Sequence, residues 1–178
     1  MPWCGAGVGW SEESDARQFA GRGFIVRGAV GVGKFTRQHA LGGGDERDLL
    51  LDGAHNEDGA AALAASLADL APHLRSAGGA RNPPLVLILA VMADKSVAEL
   101  CAALAKSPAL RTAHVICTTV GDVRSLAPEQ LAAAVRAAGL GARVQIAANP
   151  NAALLAAAEQ SGPIIAAGSL YLVGAIRG

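Results

Sequence analysis

The chain has 178 residues, 52% of them hydrophobic, with a mean hydropathy of +0.34 and a formal net charge of zero. So much apolar residue suffices for one substantial core and excludes disorder throughout. The balanced charge excludes a broad basic surface for nucleic acid or for an anionic membrane.

In chain order, the start MPWCGAGVGWSEESDARQ lacks the basic and then apolar succession of a secretory signal. Residues 1–46 are rich in glycine, contain one short strand candidate, GFIV, and are expected to be poorly ordered, as a linker remnant or N-terminal segment. Within them GAVGVGKFT (28–36) nearly spells a phosphate-binding loop, with Gly28, Gly33 and Lys34 at the required spacing. Phe35 stands where a magnesium-holding hydroxyl belongs, and KFTRQHAL reaches Gly42-Gly43-Gly44 after scarcely two turns, too short for the helix whose dipole would face the phosphates. A flexible glycine-rich segment is the favoured reading; a small P-loop NTPase using Lys34 is the alternative.

From residue 47 to 178 the pattern alternates. DLLLDGA (48–54), PLVLILAVMA (84–93), AHVICTTV (113–120), ARVQIA (142–147) and PIIAAGS (163–169) are apolar runs expected of central strands covered on both faces. Between them Ala60, Leu63, Leu67, Leu70 and Leu74 form one helical stripe, with Asn56 as its cap and Gly78-Gly79 as its end. Pro128 suits the first turn of a later helix. Strand and helix in repetition predict a Rossmann-like α/β domain, with right-handed crossovers and a mostly parallel sheet of about five or six strands between helices on both faces. The longest apolar stretches, PPLVLILAVMA and GPIIAAGSLYLVGAI, are shorter than the roughly 20 residues of a membrane helix.

Chemistry concentrates in LLLDGAHNEDGAAAL (49–63), where an apolar strand ends in Asp52-Gly53-Ala54-His55-Asn56 and passes into a helix. Open α/β sheets bind ligands at that edge. Asp52 suits a ribose hydroxyl and His55 a phosphate, although Asp52 and Asn56 equally suit capping of the helix. His39, His73 and His114 lack metal-ligand spacing and read as surface or half-buried residues. The cysteines Cys4, Cys101 and Cys117 form no C-x-x-C pair, which fits a reducing cytoplasm, and the last two read as core filling.

With LILAVMADKSVAEL (87–100), VICTTVGDVRSLAPEQLAAAV (115–135) and AAGSLYLVGAIR (166–177), the Asp52 segment resembles four successive motifs of the C-terminal domain of folylpolyglutamate synthase and dihydrofolate synthase, members of the ATP-dependent Mur ligase superfamily. The resemblance implies a Mur ligase C-terminal fold and an amide-forming reaction. ATP phosphorylates a folate or pteroate carboxylate, and the amino group of L-glutamate attacks the acyl phosphate. It places Asp52, His55 and Asn56 at the ATP, and Lys95, in Asp94-Lys95-Ser96, at the acyl phosphate or the incoming amino acid. His55 and Lys95 are thereby the catalytic candidates, and Lys95, Arg124 and Ser169 the substrate-binding ones. Ser96 departs from the family's second aspartate. Each of these last has a simpler reading as well: a solvated lysine, a surface loop arginine able to fork a carboxylate, and a helix cap.

The family's W-P-G-R arginine has its counterpart in FAGR, making Arg22 a further ATP candidate, although the 30 positions between Arg22 and Asp52 exceed the usual interval. The magnesium ligands and true phosphate loop of the family belong to a larger N-terminal domain. The expected partners are therefore folate or dihydropteroate, L-glutamate, ATP and a separate ATPase domain, and the isolated chain is expected to be inactive. A noncatalytic binding module that retains the fold is the other reading.

Overall fold

The computed structural model describes residues 30–37 and 45–177. Six strands form one sheet: β1 (Val30–Arg37), β2 (Asp45–Asp52), β3 (Val86–Leu89), β4 (His114–Cys117), β5 (Arg143–Ile146) and β6 (Ile164–Ala167), in the order β1-β2-β6-β3-β4-β5. Strands β2, β6, β3, β4 and β5 are parallel, and β1 adds an antiparallel edge. The helices are α1 (Glu57–Leu70), α2 (Val97–Leu104), the single turn α3 (Pro108–Arg111), α4 (Pro128–Ala137), α5 (Pro150–Ala158) and α6 (Leu170–Arg177).

The apolar runs form strands because the period-two alternation gives each face of the sheet its own core. Leu50, Leu87, Leu89, Val115, Cys117, Ile165 and Ala167 pack against α1 to α4 through Leu63, Leu67, Leu100, Leu104, Leu110, Leu131 and Val135. Leu49, Leu51, Val86, Ile88, Ile116, Ile164 and Ala166 pack against α5 and α6 through Ala153, Ala157, Leu172 and Ile176. Each fully buried leucine or isoleucine contributes about 1.5–3 kcal/mol. The Rossmann-like sheet with helices on both faces is therefore the observed fold.

Several expectations are corrected. Strand β1 lies inside the glycine-rich segment, and its backbone pairs with β2 from Val30↔Asp52 to Arg37↔Asp45. Gly33 and Lys34 therefore sit within a paired strand, where a phosphate loop would need a strand, a loop and then a helix, and the P-loop alternative fails. GFIV, Gly28, His39, Cys4 and Arg22 lie outside the described residues. Helix α1 stops at Leu70 rather than Gly78, because Pro72 has no N–H to continue the ladder; a 3-10 turn, Ala71–His73, follows and still delivers Leu74 to the core. Strand β5, expected to be central, is an edge whose Arg143, Gln145 and Ile146 are exposed. His114, at the start of β4, is buried rather than half-exposed, and burial pushes its imidazole pKa down. Burial likewise pushes the thiols of Cys101 and Cys117 up, to about 11 and about 12, as suits core filling.

Candidate functional site

Because five strands run the same way, the segments after β2, β3, β4 and β6 emerge at one carboxyl edge. Strands β2 and β3 lead into α1 and α2 on one face, whereas β6, between them, leads into α6 on the other. The chain thus diverges on both sides of β6, and such divergence opens crevices at an α/β sheet edge. Gly168 makes the first residue of that divergence. Its φ is +99°, and a Cβ there would stand 2.3 Å from the Ala90 carbonyl oxygen, so only glycine passes between the strands.

The crevice between β2 and β6 is framed by the Asp52 segment, whose Ala54 carbonyl accepts a hydrogen bond from Gly168 N at 2.8 Å. Asp52 is 9% exposed and its Oδ1 accepts the Ala54 N–H at 2.7 Å. Desolvation raises its carboxyl pKa, and the Ala54 hydrogen bond partly offsets that rise. His55 is exposed, with Nδ1 2.8 Å from the Gly53 carbonyl oxygen. A carbonyl only accepts, so Nδ1 carries the hydrogen and Nε2 is left for a ligand. Asn56 caps α1 through its Oδ1, which accepts the Gly59 N–H at 2.9 Å. Glu57 and Asp58 in the first turn already complement the helix dipole, which favours polar sugar contacts over phosphate at this terminus.

On the other side of β6, the segments after β3 and β4 are tied together. Ala93 N donates to the Arg124 carbonyl at 2.7 Å, Leu126 N to Val91 O at 2.8 Å, and Met92 bridges Ser125. A cavity of about 570 Å³ lies here, lined by Met92, Ala93, Asp94, Lys95, Arg124 and Tyr171. Lys95 precedes Ser96, the N-cap of α2, and its Nζ is 3.2 Å from Asp94 Oδ2. The expected carboxylate fork of Arg124 already holds a carboxylate: Nε and Nη2 donate to Asp122 Oδ1 and Oδ2, each at 3.1 Å. These bonds hold the Asp122 carboxyl below its usual range. Arg124 also donates to the Tyr171 hydroxyl at 3.4 Å and lies over that ring at 5.8 Å.

Ser169 is 1% exposed, and its Oγ accepts the Tyr171 N–H at 3.1 Å, which is the capping role for α6. The fold thus gathers Asp52, His55 and Asn56 at one crevice and Lys95 and Arg124 at the next, with Ser169 buried at the end of β6 between them; Arg22 lies outside the described residues. Asp122, Met92 and Tyr171 escaped the sequence reading. The signals were an aspartate two residues before an arginine in a Gly-Asp loop, and the chain's single tyrosine just after a capping serine. Among the described residues no group of three or more His, Cys, Asp or Glu could hold a metal ion, and no helix is long and apolar enough to cross a membrane.

A family model described as the dihydrofolate synthetase C-terminal domain matches residues 40–177. No curated protein matches the chain significantly. Among solved structures, Mycobacterium tuberculosis folylpolyglutamate synthase complexed with ADP and AMPPCP is 30% identical, with a TM-score of 0.58 over 73% of this chain and 29% of that one. The folylpolyglutamate synthase of Thermotoga maritima is 25% identical, with a TM-score of 0.53 over 74% and 27%. E. coli FolC in complex with DHPP and ADP, at 19% identity and a TM-score of 0.58 over 72% and 27%, shares the fold. The chain spans less than a third of the length of these proteins. With the match extending over both crevices and nearly all of the sheet, the chain belongs to the dihydrofolate synthetase C-terminal domain family.

Proposed function

We propose that this chain is the nucleotide- and glutamate-contacting domain of an ATP-dependent ligase joining a folate or pteroate carboxylate to L-glutamate through an acyl phosphate. The observation that carries the proposal is the division of groups about β6. A carboxylate and an imidazole stand at one crevice, and two cations line a cavity of about 570 Å³ at the next. Similarity to synthases complexed with ADP supports the nucleotide part of the reading.

In this reading Asp52 accepts from a ribose hydroxyl, and His55 stands near the phosphates, with its ring fixed by the Gly53 carbonyl. ATP supplies the phosphoryl group that activates the acid. Lys95 and Arg124 offset the charge of the glutamate carboxylates and of the acyl phosphate's phosphoryl oxygens, and Asp94 offers an acceptor to the amine. Ser169 Oγ accepts the cap bond from Tyr171 N and keeps its own O–H to donate to a glutamate carboxylate, so the two roles coexist. In this reading the magnesium ligands are supplied by a separate ATPase domain.

Titration calorimetry of the purified chain should show weak ADP binding and weak L-glutamate binding, with Lys95→Ala abolishing the latter and sparing the former. Loss of both, or of neither, removes the two-crevice assignment. A noncatalytic module would retain the binding, and it is separated from the ligase reading by the response to an added ATPase domain.

A further inference from the structure

Arg124 lies on an exposed loop, where a long cationic side chain ordinarily samples many rotamers and an isolated ion pair does little to restrain it. Here the restraint is threefold. Asp122 accepts the Arg124 main-chain N–H at 2.8 Å as well as Nε and Nη2 at 3.1 Å each, so one carboxylate fixes both the backbone turn and the guanidinium plane. Tyr171, from α6 across the cavity, takes the second Nη2 hydrogen at 3.4 Å and lies under the guanidinium at 5.8 Å from its centroid. A guanidinium has five N–H donors. Three are thereby assigned, and the two on Nη1 have no hydrogen-bond partner among the described residues.

We propose that Asp122 and Tyr171 are positioning residues, which lock Arg124 so that its Nη1 hydrogens are the donors offered to a carboxylate of the amino acid entering the cavity. The proposal rests on the glutamate reading above. It also gives Asp122 a definite sign. An aspartate that merely competed for the arginine would weaken anion binding, and its removal would tighten it. A positioning aspartate works the other way: without it the side chain must be ordered by the ligand itself, at the expense of affinity.

Two readouts on the full chain separate the possibilities. The first is the nitrogen-15 NMR signal of the Arg124 Nε–H, assigned by its loss in Arg124→Lys. It should exchange slowly in the unmodified protein, collapse toward free arginine in Asp122→Asn, and recover in part in Asp122→Glu. The second is L-glutamate affinity, which should weaken by about threefold to tenfold in Asp122→Asn and by less in Tyr171→Phe, which keeps the ring. An Nε–H signal unchanged by Asp122→Asn, or tighter glutamate binding in that variant, overturns the proposal. If the signal responds as expected while the unmodified chain binds no glutamate, the lock stands and the glutamate assignment falls.

Discussion

At the scale of single residues, Asp52 joins a structural liability to a proposed binding role. Burial raises its carboxyl pKa above the ordinary value of 3.8, even with the Ala54 N–H as a partner. The folded state therefore retains the proton to higher pH than the unfolded chain does. Stability from this group falls as pH rises from the unfolded value through the folded one, and the loss is complete above it. Asp52→Asn keeps an oxygen for Ala54 and removes the desolvated charge. At neutral pH the variant should melt no lower than the unmodified protein and should melt higher if the charge term dominates. That advantage should vanish in acid below both pKa values. ADP affinity should nevertheless fall about tenfold, the worth of one charge-assisted hydrogen bond. A variant that is less stable but binds ADP normally would mark Asp52 as a simple cap. The residue was legible in the sequence because its main contact, to Ala54, is two positions away and follows from local turn chemistry. The Asp122 to Arg124 contact is equally local, but Tyr171 lies 47 positions from Arg124 and was not legible.

At the scale of elements, the join between β2 and α5 depends on one buried side chain. Arg47, 2% exposed, donates to the carbonyls of Ala157 at 3.3 Å, Ala158 at 3.1 Å and Gly162 at 3.4 Å, and also to that of Gln160. Carbonyls at a helix C-terminus lack intrahelical donors, so Arg47 satisfies groups that would otherwise be buried without partners. Arg47→Met fills similar space without a donor. It should lower unfolding free energy by about 3 kcal/mol in urea denaturation, while leaving the helix content measured by circular dichroism unchanged below the transition. A loss of only a few tenths would show that water replaces the guanidinium. Sequence reading placed the domain's start at Arg47 but could not see a partner 110 positions away. It found the central strands because burial on both faces makes them uniformly apolar. Their ends were less visible: Ala90, Val91 and Met92 continue the β3 run into a buried rim segment that is no longer strand. Glycines hid β1, whose Val30 and Val32 keep the period of two.

At the scale of the molecule, the cavity lined by Lys95 and Arg124 opens beside exposed apolar residues at the carboxyl edge of the sheet, which suits the proposed reading of a site completed by another domain. Tyr171 is 55% exposed, and Leu170 and Val123 beside the same edge are exposed too. If the chain belongs to the proposed ligase, nucleotide and amino acid must be held against each other while water is kept from the acyl phosphate, and a one-sided rim cannot enclose them. The chain also spans only 29% of the first synthase it resembles. Binding without turnover is therefore the expected behaviour of the purified chain. Adding a polypeptide that carries the phosphate loop and metal ligands of a related synthase should produce ligation dependent on both ATP and L-glutamate, saturable in the added domain. Because the two parts meet as separate molecules, activity should rise with their concentration, unlike that of a fused enzyme. Lys95→Ala should remove the restored ligation even when the added domain saturates, since the lysine lines the cavity on this chain's side. Turnover by the chain alone would contradict the division of labour. Binding of the added domain without any ligation, under conditions where the fused relative is active, would instead establish this chain as a module that kept the rim and lost the reaction.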